Sequence, residues 1–69
     1  MTSLIGNRDG FMVCAAGDTT RERREAYADL RKLEPEFRRE FFDRTKADLA
    51  AKRASEITGR KFYACEALL

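Results

Sequence analysis

Cys14 and Cys65 are the residues best equipped for chemistry, and their placement limits what that chemistry is. They lie far apart with no second thiol near either, so neither a zinc-ligand spacing nor a dithiol redox motif is encoded. The chain has no histidine, which removes the common general base and the usual third and fourth zinc ligands. Two readings of the thiols stand: reduced small apolar side chains, or one disulfide tying the N-terminal segment to a C-terminal helix. The 12 carboxylates are the other reactive resource. Glu36 and Arg39, Glu40 and Arg44, Arg39 and Asp43, Arg44 and Asp48, and Asp48 and Lys52 stand three or four residues apart. On a helix such spacings make a solvated, internally neutralised face rather than a catalytic pair. The glycines are scattered at positions 6, 10, 17 and 59, so no phosphate-cradling loop is present. These patterns predict a protein that is not an enzyme and uses no cofactor, metal or small-molecule substrate.

Recognition is therefore the chemistry to expect, and the cations and exposed aromatics are its candidates. Net charge by section is −1 over 1–20, +2 over 21–33, −1 over 34–49 and +2 over 50–69, for a total of +2. A dedicated duplex binder carries a far larger basic stripe, because phosphate contacts supply most of its affinity. Such a chain could approach nucleic acid, as nascent RNA or DNA near a partner, but hardly grip it alone. Seven residues stand out as partner-binding candidates: Phe11 and Val13 in an apolar N-terminal run, Arg21 and Arg24 on an arginine-rich segment, and Arg60, Lys61 and Tyr63 after Gly59.

The elements that must hold these residues are predicted from periodicity and punctuation. With 69 residues there is room for one domain, which buries only about 60% of the surface its unfolded chain exposes. The longest apolar run, from Phe11 to Ala16, is too short to span a membrane, and no signal-peptide pattern opens the chain, so a cytoplasmic protein is expected. Leu4-Ile5 and Phe11-Met12-Val13-Cys14 flank a stretch, Gly6 to Gly10, whose residue types suit a hairpin loop. A capping box at Thr19 and Glu22 starts a first helix with a stripe at Ala26, Tyr27, Leu30 and Leu33. Leu33-Glu34-Pro35 ends it, because the residue before proline avoids the helical region.

A second helix is then predicted from Pro35 to about Thr58. Its stripe would be Phe37, Phe41, Phe42, Leu49 and Ile57, completed by Thr45 and Arg53. Adjacent Phe41 and Phe42 would point apart, one to the first helix and one to the N-terminal segment or a partner. Ser55, Gly59, Cys65 and Leu68 match the offsets of a helix-turn-helix, although Arg60 replaces the usual apolar residue after the glycine. The alternative at 60–69 is a short strand. The fold class predicted is mainly α: a helical hairpin with a C-terminal helix in a helix-turn-helix-like arrangement. An extended or β-hairpin segment at 1–17 precedes helical residues 18–69, all within one domain.

Taken whole, from Met1-Thr-Ser-Leu-Ile-Gly-Asn-Arg through Arg38-Arg-Glu-Phe-Phe-Asp-Arg to Arg60-Lys-Phe-Tyr-Ala-Cys65, the chain resembles the small host-RNA-polymerase-binding transcription regulators of lytic Xanthomonas bacteriophages. The resemblance covers nearly all of it and rests on size and order of segments rather than on a diagnostic motif. It implies a non-enzymatic protein of the host cell's cytoplasm that binds the β′ subunit N-terminal region near the RNA exit channel. Such a protein would displace the σ factor, hinder promoter-dependent initiation and promote antitermination. No contact residue is carried over from the family. The alternative function is a small helix-turn-helix DNA-binding repressor or excisionase-like factor that reads DNA with Arg60, Lys61 and Tyr63.

Overall fold

The computed structural model describes residues 9–68. The elements run β1 (Asp9–Ala15), α1 (Thr20–Leu33), β2 (Glu40–Phe41), α2 (Arg44–Thr58) and β3 (Phe62–Leu68). The strands form one antiparallel sheet in the order β2-β1-β3. This is a small α+β fold, and the mainly α expectation is corrected by it.

Local chemistry explains where the helices begin and end. Thr19 is extended, and its hydroxyl accepts the Glu22 amide at 3.2 Å, so the predicted cap starts α1. Glu34, ahead of Pro35, leaves helical geometry and closes α1 by donating its amide to the Leu30 carbonyl at 2.8 Å. Asp43 caps α2 by accepting the Thr45 amide at 2.8 Å. At the far end Gly59 takes a left-handed conformation, φ 73°, which costs glycine little and lets its amide reach the Ser55 carbonyl.

The second helix is nine residues shorter at its start than predicted, beginning at Arg44 instead of Pro35. Residues 35–43 form a turn and the short strand β2, in which Phe41 stands opposite Phe11 and Glu40 opposite Met12. The spacing of four between Phe37 and Phe41 fits a helix, but it is also twice the strand period. None of the five ion pairs expected along 36–52 forms among the described residues. The pairs formed are Arg21–Glu25, Arg53–Glu34 and Arg60–Asp29.

The C-terminal segment is the larger correction. It is a strand rather than a second helix of a helix-turn-helix, pairing with β1 from Ala15↔Phe62 to Asp9↔Leu68. The physical reason is β1 itself: a buried strand needs partners for its amide and carbonyl groups, and β2 is only two residues long. The expected pairing of Phe11 to Cys14 with Leu4-Ile5 falls on residues outside those described, and Gly10 lies within β1 rather than in a loop.

Both helices pack on one side of the sheet. Val13, Ala15 and Phe62 meet Ala26 and Leu30 of α1 and Ala51 and Ala54 of α2 in the buried core. The buried positions of α2 are alanines, Ala47, Ala51 and Ala54, whose small side chains let the helix lie close to the sheet. The predicted stripe is displaced: Leu49 is 63% exposed, and Thr45 and Arg53 face solvent, while Ile57 is half-buried. Leu33 is likewise exposed, and Phe42 points out while Phe41 packs against the core. Cys14 and Cys65 are joined in a disulfide between diagonal positions of β1 and β3, with Cα atoms 6.7 Å apart, which is the second of the two readings of the thiols, with a strand in place of the C-terminal helix.

Candidate functional site

Strand register decides which side chains are available to a partner. Residues opposite each other in an antiparallel pair share a face, so Val13, Ala15, Phe62 and Ala64 point toward the helices. Met12, Cys14, Tyr63, Cys65 and Ala67 point to the other face, which no helix covers among the described residues. Tyr63 stands out of it at 47% exposure.

The seven candidate residues are not brought together. Val13 is fully buried in the core and cannot touch a partner in this fold. Phe11 lies on the helix side, half-buried between Phe41 and Glu66. Arg21 and Arg24 are exposed on α1, Arg21 facing Glu25 at 3.6 Å. Arg60 is engaged across the fold, its Nε donating to Asp29 of α1 at 2.7 Å, while Lys61 beside it is exposed. Arg60, Lys61 and Tyr63 therefore do not share a recognition helix, and the helix-turn-helix reading loses its geometry. Among the described residues no group of three or more His, Cys, Asp or Glu is placed to hold a metal ion, and no helix is long and apolar enough to cross a membrane.

What sequence reasoning missed is the finish of the two sheet edges. On the β2 side, where that strand ends, the Arg39 backbone and the side chains of Arg39 and Tyr27 take over the pairing of β1. Val13 donates its amide to the Arg39 carbonyl at 2.9 Å, and the Arg39 Nε returns a bond to the Val13 carbonyl at 3.2 Å. Ala15 donates its amide to the Tyr27 hydroxyl at 2.9 Å, and the Arg39 guanidinium lies 4.1 Å from the Tyr27 ring centroid. That edge is closed.

The β3 edge differs. Ala16 donates to the Lys61 carbonyl on the β1 side, and Phe62 donates outward to the Ser55 Oγ at 2.9 Å. Backbone groups alternate in direction along a strand, so Ala64, Glu66 and Leu68 also turn their amide and carbonyl groups outward. No partner for those groups occurs among the described residues. The same end of β3 runs past the helices: Glu66 and Leu68 are exposed although their side chains lie on the helix side of the sheet. No protein-family model, curated protein or solved structure matches this chain significantly.

Proposed function

We propose that this chain is a protein-binding regulator that acts on a bacterial RNA polymerase. The observation that carries a protein-binding mode is the β3 edge from Ala64 to Leu68, outward-facing and unpaired among the described residues. An unpaired strand edge is an established route to protein recognition. The charge distribution favours the same reading over nucleic-acid binding. The total is +2, and Arg21, Arg53 and Arg60 are already engaged by carboxylates.

The choice of partner rests on the resemblance to the phage regulators: the β′ subunit near the RNA exit channel, with σ displacement, inhibited initiation and antitermination as consequences. The place of action on this reading is the cytoplasm of a bacterial host. That compartment keeps thiols reduced, so Cys14 and Cys65 would act there as a dithiol and the β1–β3 ladder would hold the strands without the bond.

Retention of purified core RNA polymerase on the immobilised chain tests the reading, together with single-round transcription from a σ-dependent promoter and read-through at a terminator. Polymerase capture with fewer promoter-initiated transcripts is expected. Capture of other proteins without any polymerase subunit would reject the polymerase reading. Salt-sensitive, sequence-selective binding of duplex DNA by the isolated chain would replace it with a DNA-binding function.

A further inference from the structure

We infer that the outer edge of β3 accepts an extended segment of a partner protein as an added strand, and that the segment carries a lysine or arginine directed at Glu66 and Asp9. The proposal concerns how a partner is held and does not depend on which protein supplies the strand.

Two features of the molecule carry it. Ala64, Glu66 and Leu68 present an alternating row of amides and carbonyls in the geometry an antiparallel or parallel neighbour requires, and the opposite edge of the sheet has its row satisfied by Arg39 and Tyr27. Edges left open over several residues are commonly blunted by a lysine, a proline or a bulge. β3 has none of these, and its only charge is negative.

The charge selects the occupant. Glu66 stands opposite Phe11 and Asp9 opposite Leu68, so both carboxylates share the helix side of the strand pair beyond the end of the helices. Both are exposed, and neither forms an ion pair among the described residues. Phe11 and the 70% exposed Leu68 line the same groove, so an incoming side chain meets apolar surface along its stem and negative charge at its tip. That suits the long apolar stem and cationic head of lysine or arginine. A second copy of this chain fits less well, because its own β3 brings another Glu66 and no cation within the strand.

The test uses the whole chain and a capped peptide of about six residues, alternating valine and threonine with one central lysine. Amide exchange and chemical shifts followed by NMR should show new protection at Ala64 and Glu66 on titration. Replacing the peptide's lysine with glutamate should weaken binding by about threefold to tenfold. Methylating alternate backbone nitrogens of the peptide should abolish binding. The variant Glu66→Lys, whose exposed position leaves the fold intact, should reverse the preference and bind the glutamate peptide better. Equal affinity for both peptides, or binding indifferent to N-methylation, would overturn the proposal. So would protection at Ala64 and Glu66 that appears with rising protein concentration and no peptide, because the edge would then belong to a second copy.

Discussion

The β2 side and the β3 side of this sheet solve one problem in opposite ways. Both expose backbone groups that water or protein must satisfy. On the β2 side a two-residue strand is supplemented by the Arg39 backbone and guanidinium and by the Tyr27 hydroxyl, above Leu30 and beside Phe37. On the β3 side the strand is seven residues long, its last half clears the helices, and one serine hydroxyl at Phe62 is the only cap among the described residues. A closed edge adds stability, whereas an open edge is available for recognition. The comparison teaches that the candidate site lies where the fold stops satisfying itself, not where the cations are densest.

The comparison can be broken most forcefully by truncating one leucine on each side. Leu30 is 2% exposed beneath the closed edge, so Leu30→Ala should cost about 2–5 kcal/mol, which in a domain this small can abolish folding. Leu68→Ala, at the exposed end of β3, should change stability by no more than about 0.5 kcal/mol. Urea denaturation of both variants checks this, and equal losses would erase the distinction between the sides.

A second test addresses what holds the open side. The Cys14–Cys65 bond closes a long loop and ties β3 to β1, so replacing both cysteines with serine should cost about 2–4 kcal/mol relative to the oxidised protein. The loss of amide protection should be concentrated in β3 rather than in α1. A uniform loss across the molecule would mean that the bond supports the core as a whole.

A third test, with a smaller loss than the first two, sharpens the closed side. Tyr27→Phe keeps the ring against Phe62 and removes only the acceptor of the buried Ala15 amide, at a cost of about 1–3 kcal/mol. Amide exchange at Ala15 should accelerate in step. An unchanged melt would show that the hydroxyl is dispensable and that this edge is closed by packing alone.

Some of this architecture is legible in the chain because the signals are local. Thr19 with Glu22, Glu34 before Pro35, and the glycine at 59 each act within one turn of backbone, and all three occur where the residue types predict. Phe37 and Phe41 are not legible in that way, because a spacing of four satisfies both periods. The tail after Gly59 is ambiguous for the same reason: its apolar residues match helical offsets as well as an alternating strand. The candidate site was hidden further, since unpaired backbone has no residue type to announce it, and Arg39, Tyr27 and Ser55 acquire their capping roles only in the assembled sheet.

By itself, then, the amino-acid sequence determined the cap at Thr19, the end of α1, the turn after α2, the extended character of the run beginning at Phe11 and the modest net charge. These depend on short-range sterics, capping hydrogen bonds and composition, which do not wait for the rest of the chain. Tertiary structure decided that 62–68 is a strand, that α2 buries alanines, that Arg60 pairs with Asp29 and that Cys14 meets Cys65. Each of those outcomes follows from one long-range event, the pairing of β1 with β3. The backbone groups of a buried strand must find partners, and that requirement outweighs the weak local preference of the tail.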